Sequence, residues 1–292
     1  MSHALKQIHD QMLADKPALL EGFEEMLLPG APKPPAPVPA DVADRYAIEE
    51  REIAGTPVQI LHPREGASGI QVVYFHGGAY TLPFLDPHWA IVAGLADRTG
   101  AQMWVPHYTP TPEGTLDGAL PLLEALAEEV PAAAGDHRYI VSGESAGGNM
   151  ALVQTLRALE NGTRLPDHLV LHAPWVDLRI AHPQSLELEP IDALMTVDQL
   201  QRAARSWAGD REVTDPMISP AFADLSGLPP MTVLQGTADL LLPDVRAFVE
   251  SAREQGAQAE LELVEGAFHV YIGHDTPESQ QSLDLAAERI RG

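Results

Sequence analysis

From Ile70 onward the chain alternates short apolar runs with longer amphipathic ones, and this alternation constrains its fold more than any other feature. The apolar runs are Ile70–Phe75, Gln102–Val105, Arg138–Val141, His168–Leu171, Met231–Leu234 and Ala259–Val264. Between them, the spacing predicts helices at His88–Arg98, Thr115–Glu129, Ala146–Glu160, Pro243–Gln255 and Pro277–Ile290. Strands that are apolar on both faces need cover on both faces. A mostly parallel sheet flanked by helices supplies it. Upstream, Tyr46–Ile53 and Thr56–Leu61 flank Gly55 in the manner of an antiparallel hairpin.

Two segments stand outside this rhythm. Between Pro29 and Pro39 six of eleven residues are proline, which predicts a stiff, extended strap. Ahead of it, Leu5, Ile8, Met12, Leu19, Phe23 and Leu27 fall mostly at helical spacing, with Pro17 and Gly22 expected to interrupt or kink the helix. The other segment is the stretch of about 60 residues between His172 and Met231, too long for a plain connection. Within it Thr196 to Trp207 reads as a helix capped by Thr196. Residues 1–45 (helices and strap) and about 180–225 are therefore expected to lie over a main domain spanning 46–292.

Composition removes several classes of function. Hydrophobic residues make up 45% of the 292, enough for a sizeable core. Acidic side chains number 42 against 18 basic ones, and a net charge of -24 repels nucleic-acid phosphates and anionic lipid alike. Without cysteine there are no disulfides and no thiolate metal sites. The opening MSHALKQIHD does not read as a signal peptide, and no apolar run is long enough to span a membrane, so the cytoplasm is the expected location. The glycosylation pattern at Asn161-Gly162-Thr163 is then a chance match. The twelve histidines form no H-E-x-x-H or comparable ligand set, and His168 and His172 lie on a strand, so no metal is expected. Neither phosphate-binding glycine loop is present at a strand-to-helix turn, so no nucleotide cofactor is expected either.

Gly143-Glu144-Ser145-Ala146-Gly147 lies between the apolar run Arg138–Val141 and a helical run opening at Ala146. A strand, a sharp turn with serine at its tip and an immediate helix make a nucleophile elbow. Small flanking residues avoid collision, and the helix N-terminus favours negative charge on a nearby oxygen. His76-Gly77-Gly78-Ala79-Tyr80 follows strand Ile70–Phe75 directly. Its glycines let backbone N–H groups approach a substrate closely, as stabilising a developing oxyanion requires. The chain order Ser, Asp, His then points to Asp239 after strand Met231–Leu234, with Gln235-Gly236-Thr237 as its exit loop. It points to His269 after strand Ala259–Val264 and a turn at Glu265-Gly266-Ala267. Asp244 reads as a helix N-terminal charge and His274 as a solvated side chain. Tyr80, Phe84 and Trp175 are candidate pocket residues. Glu144 reads as a buried carboxylate paired with a neighbour.

From about Gln71 onward the chain resembles the hormone-sensitive-lipase-like esterases, or bacterial lipolytic family IV. The matching stretches are His76–Tyr80, Gly143–Gly148, Trp175-Val176-Asp177-Leu178, Asp215-Pro216, Ser219-Pro220, Leu225–Pro230 and Asp239-Leu240. The resemblance implies an α/β-hydrolase fold with an eight-stranded, mostly parallel sheet, helices on both faces and a helical cap. It also implies cofactor-free hydrolysis of short-acyl, small-molecule esters. It maps the nucleophile onto Ser145, the acid onto Asp239 and the base onto His269. It maps the oxyanion donors onto the N–H groups of Gly78, Ala79 and Ala146, with Gly77 shaping the turn. Many proteins of this kind form homodimers, but no interface is legible in this sequence.

Four departures stand out. Ala79 replaces a usual third glycine, which predicts a negative φ there. Glu144 replaces the commoner aspartate, Tyr108–Glu113 replaces Y-R-L-A-P-E, and Leu240-Leu241-Leu242 follows Asp239 where a tighter D-P-L-x-D is usual. An amidase or formamidase on the same residues, or a non-catalytic receptor on the same scaffold, are the competing readings. The receptor would ordinarily lack one of the three side chains.

Overall fold

The computed structural model describes residues 1–292. Eight strands form one sheet: β1 (Tyr46–Ile53), β2 (Thr56–Pro63), β3 (Gln71–Phe75), β4 (Gln102–Pro106), β5 (Tyr139–Glu144), β6 (His168–His172), β7 (Met231–Ala238) and β8 (Ala259–Phe268). Their order is β1-β2-β4-β3-β5-β6-β7-β8. The hairpin β1–β2 is antiparallel and so is β2 on β4; every later pair is parallel. This is the sheet expected from the alternating runs. The central strands β3 and β5 are buried at every residue, as their apolar runs Val72–Phe75 and Tyr139–Val141 require, with Gln71, Ser142 and Glu144 the polar side chains carried inside with them.

Nine helices surround it: α1 (His3–Met26), α2 (Ala40–Arg45), α3 (Asp86–Thr99), α4 (Leu116–Ala134), α5 (Ala146–Asn161), α6 (Pro183–Leu188), α7 (Val197–Ala208), α8 (Leu242–Glu254) and α9 (Pro277–Arg291). One large core joins α4, α5, α7 and α8 to one face of the sheet, and a second joins α3 and α9 to the other. No helix is long and apolar enough to cross a membrane.

Three readings of the sequence need correction here. Pro17 and Gly22 do not interrupt α1, which runs unbroken from His3 to Met26. Tertiary ties along its length compensate for the weak positions. Lys16 donates to the carbonyls of Glu189 and Asp192 at 2.9 and 2.7 Å, Gln199 donates to Leu20 at 3.0 Å, and Arg202 pairs with Glu24. The other two concern Gln235-Gly236-Thr237 and Glu265-Gly266-Ala267, which are strand and not loop. There β7 and β8 extend alongside one another to the pair Ala238–Phe268, across a register shift near Gly236.

The proline strap is packed down, not free. Ala36 donates to the Phe84 carbonyl at 2.7 Å and accepts from the Trp89 indole at 3.2 Å. Lys33 reaches the carbonyl of Thr111 and the carboxylate of Glu113. In the long insertion, α7 is capped by Thr196, whose hydroxyl accepts from the Gln199 N–H as its sequence context predicts.

Candidate active site

Ser145 sits between the end of β5 and the first residue of α5 with φ 56° and ψ -121°. A non-glycine residue there is strained by roughly 1–3 kcal/mol and persists only when its surroundings fix it. Backbone bonds do so: its N–H donates to His172 at 2.9 Å, and its carbonyl accepts from Trp175 at 3.0 Å and Asn149 at 3.1 Å. The strain aims the hydroxyl above the carboxyl ends of the strands. His269 follows β8 directly, and Val270, at φ 52°, turns the chain away behind it. Asp239 follows the end of β7.

The structure brings these three side chains together. His269 Nε2 lies 2.9 Å from Ser145 Oγ, and its Nδ1 lies 2.8 Å from Asp239 Oδ2. Asp239 also accepts from the Gln235 amide at 2.7 Å and from the Leu241 N–H at 2.8 Å. A carboxylate only accepts, so the proton between the pair belongs on Nδ1, leaving the Nε2 lone pair for the serine hydroxyl. Burial disfavours the imidazolium. The charge and hydrogen bond of Asp239, with lesser contributions from Asp192 and Glu144, outweigh it and hold His269 above its ordinary value. All three residues are buried, with Ser145 4% and His269 5% exposed.

Beside the hydroxyl runs the loop His76–Tyr80. The N–H groups of Gly78, Ala79 and Ala146 have no acceptor within the chain. The Gly77 N–H does have one: it donates to Glu144 Oε1, so Gly77 holds the loop instead of offering a donor. A Cβ at Gly77 would lie 2.8 Å from the Glu144 carbonyl oxygen and 2.9 Å from Ser145 Cβ, closer than real atoms approach. Ala79 corrects another expectation: its φ is 52°, and that of Tyr80 is 59°. Each left-handed residue costs roughly 1–2 kcal/mol. Burial of Tyr80 compensates, through a ring stacked 4.1 Å from Trp207 and a hydroxyl donating to Asn149 at 2.6 Å.

Glu144 is the buried partner of this loop. Its other oxygen accepts from the Tyr74 hydroxyl at 2.6 Å, and His88 Nε2 lies 3.2 Å from Oε1. His88 Nδ1 accepts the Leu85 N–H at 2.8 Å, which leaves the proton on Nε2 to point at Glu144. Burial raises Glu144 to about 7, against the lowering effect of the Tyr74 hydroxyl and the Gly77 N–H, and pushes His88 down to about 3. Tyr108 stacks on His76 at 4.3 Å and donates to its carbonyl at 2.9 Å, so the residue opening the unusual Tyr108–Glu113 stretch still supports the loop.

The candidate pocket residues separate. Tyr80 and Trp175 lie 6.2 Å apart around α5, and Trp175 donates from its indole to Asp177 at 3.1 Å. Phe84 belongs to the opposite core, packed on Trp89, and lines a cavity of about 380 Å³ with His76, His107 and Lys33. All three are buried. Asp244 is in the first turn of α8 as expected, but it is buried and not a surface charge. Burial, then the charge of Asp177, lifts it to about 7. His274 is not solvated: it is half-buried with its ring 5.2 Å from Phe268, because the short turn after Val270 folds back on β8.

The family model for the α/β-hydrolase fold matches residues 72–273, from β3 past the histidine. The chain belongs to this family. Within it, the chain is one of the hormone-sensitive-lipase-like α/β-hydrolases. It is 31% identical to an esterase of Acinetobacter venetianus over 230 residues, 76% of this chain and 75% of that one. It is 29% identical to an acetyl-hydrolase of Streptomyces hygroscopicus over 76% of each. Among solved α/β-hydrolases, a hormone-sensitive lipase from a metagenome library superposes with a TM-score of 0.81. That pair is 25% identical and covers 98% of this chain and 97% of the other.

Sequence reasoning missed Asn149, His88 and Asp192. Asn149 accepts from Tyr80 and donates to the carbonyls of Trp175 at 2.8 Å and Ile218 at 2.9 Å, locking the elbow helix to three loops. An amide one turn after Ser145, in the otherwise apolar opening Ala146–Val153 of the helix, was the available signal. His88 and Asp192 carried none.

Proposed function

We propose that this α/β-hydrolase cleaves short-acyl carboxylic esters through an acyl-enzyme on Ser145. One observation carries the reading: an unbroken hydrogen-bonded line from Ser145 Oγ through His269 to Asp239, with links of 2.9 and 2.8 Å. The relatives' names, esterase and acetyl-hydrolase, support ester substrates with small acyl groups.

The steps follow from where the protons sit. Ser145 Oγ attacks the acyl carbonyl carbon as His269 Nε2 takes the hydroxyl proton. The carbonyl oxygen becomes an oxyanion facing the free N–H groups of Gly78, Ala79 and Ala146, which need no reorganisation to receive it. Collapse breaks the ester C–O bond, and the alkoxide leaves with the proton from His269. Water then attacks the acyl-enzyme with His269 again as base, releasing the acid and restoring Ser145. Asp239 holds the imidazole in the required tautomer throughout.

The cap, residues 1–45 and about 180–225, is assigned the closing of this site. α1 and α7 are joined through Arg202–Glu24 and Gln199, so they form one cover. With Ser145 only 4% exposed, an ester reaches its hydroxyl only when covering segments part.

A panel of p-nitrophenyl esters of rising acyl length, paired with matched amides, tests the proposal. Expected are turnover of acetyl and butyryl esters, its decline with longer chains, and its loss in Ser145→Ala. Faster cleavage of the amides would shift the assignment to an amidase. Wild-type-like ester turnover in Ser145→Ala would refute the mechanism.

A further inference from the structure

Asp192 lies in the long insertion, ahead of α7, and is completely buried. Its Oδ1 accepts the N–H groups of Leu194 and Met195, each at 2.9 Å. Its Oδ2 accepts the N–H of Leu240 at 3.0 Å. Leu240 is the residue directly after Asp239. All three partners are backbone donors, and an acceptor-only group satisfies them best, so the site is built for the carboxylate form. No Arg, Lys or His side chain forms a salt bridge with it. Burial and then the neighbouring Asp239 charge accordingly push its carboxyl up. A buried, unpaired carboxylate is costly in a fold, and here it stands next to the proposed reaction centre.

The charges that act on the His269 imidazole are, in falling order, Asp239 from the loop after β7, Asp192 from the insertion and Glu144 from β5. The backbone that carries Asp192 is held from outside by α1. His9 Nε2 lies 2.8 Å from the Ile191 carbonyl, and Lys16 bonds the carbonyls of Glu189 and Asp192. The line of contact therefore runs from α1 to the insertion, through the Asp192 side chain, and into the loop bearing the triad acid.

We propose that Asp192 is a positioning residue for this reaction: it fixes the Asp239 loop through the Leu240 N–H and sets a second negative charge near His269. The inference rests on the triad reading. It makes the cap part of the machinery as well as a cover, because the cap delivers a charge that favours the imidazolium formed as Ser145 attacks.

The test compares wild type, Asp192→Asn, Asp192→Glu and Ser145→Ala in kcat and KM for p-nitrophenyl butyrate from about pH 5 to 9. For Asp192→Asn, kcat should fall about tenfold with KM within about twofold. Its acid limb should move to lower pH by about one unit, since an opposing charge near the imidazole is gone. Asp192→Glu should return the limb towards wild type and restore part of kcat. An Asp192→Asn enzyme with wild-type kcat and an unmoved limb overturns the proposal, as does a loss confined to KM or thermal stability. Should Asp192→Asn fail to fold, Lys16→Met carries the test. It frees the carbonyls of Glu189 and Asp192, so kcat drops severalfold at constant KM if the proposal holds and stays at wild type if it does not. Ser145→Ala separates the two readings. Full activity there ends the triad assignment, whereas Ser145-dependent activity indifferent to Asp192 ends only this one.

Discussion

Gly147→Ala puts one methyl group between the two halves of the proposed site. A Cβ on Gly147 would lie 2.0 Å from the Phe75 carbonyl oxygen, 2.5 Å from the carbon bearing it and 2.6 Å from the His76 oxygen. The partners are backbone on both sides, so no side chain can swing away. Phe75 is fixed in β3 opposite Gly143 of β5, and Gly147 is in the first turn of α5. A separation of at least about 1 Å must open between them, and it opens between Ser145 and the loop that starts at His76. Misplacement of that size costs about 10²-fold in rate, or roughly 2.7 kcal/mol of barrier, and overpacking adds about 1–3 kcal/mol of destabilisation. The assay is steady-state hydrolysis of p-nitrophenyl butyrate together with thermal melting. Expected is a fall in kcat of about 100-fold with little change in KM, in a folded protein that melts several degrees lower. Gly22→Ala in α1 is the control. Nothing lies within 4 Å of its Cβ position, so kcat should hold and stability rise by about 0.5–1 kcal/mol. A Gly147→Ala enzyme within about threefold of wild-type kcat would refute the claim that backbone contact across these glycines sets the reacting geometry.

Three further outcomes follow. In the proposed mechanism His269 acts as a neutral base, and its neighbours hold it above the ordinary 6.5, so kcat/KM should decline as pH falls through a midpoint above that value. A pH–rate profile with its midpoint at or below 6.5 contradicts this. Asp239→Asn removes the acceptor that fixes the imidazole tautomer, and kcat should drop about 10³–10⁴-fold with the fold intact by circular dichroism. Activity within tenfold of wild type would exclude Asp239 as the acid. Glu144, raised by burial from 4.5 to about 7, binds its proton more tightly folded than unfolded, so this group's contribution to stability falls as pH rises from about 4.5 to 7. The full effect is ~3 kcal/mol, and Glu144→Gln should flatten that part of the stability curve in urea unfolding at several pH values. An unchanged slope would refute it.

What the sequence made legible was whatever depends on local text. The strand runs and helical spacing between Ile70 and Ile290 specify a parallel sheet with its helices, since both periodicities follow from backbone geometry. The Ser145 elbow and the His76–Tyr80 loop were legible because each needs small residues at fixed offsets from a strand end. Element ends were less so. Gly236 and Gly266 read as turns, yet both lie in strands, and Gly236, whose Cβ would fall 2.2 Å from the Ala267 carbonyl oxygen, lets β7 and β8 run close together up to Ala238 and Phe268. The continuity of α1 through Pro17 was hidden because its anchors, Glu189, Asp192 and Arg202, lie far along the chain. The same holds for the supporting carboxylates. Nothing beside Asp192 or Glu144 in sequence says that one meets Leu240 and the other meets Gly77 and Tyr74. The left-handed backbone at Ala79 is likewise a tertiary result, fixed by the burial of Tyr80 one residue later.

The assignment of Ser145 as the nucleophile is tested most directly by covalent capture. Wild type and Ser145→Ala are treated with a fluorophosphonate ester, digested, and the modified peptide is sequenced by mass spectrometry. The expected result is a single adduct on Ser145 that forms in step with the loss of esterase activity, and no adduct in Ser145→Ala. Labelling of another residue that tracks inactivation, or an active protein that takes no label, would contradict the assignment.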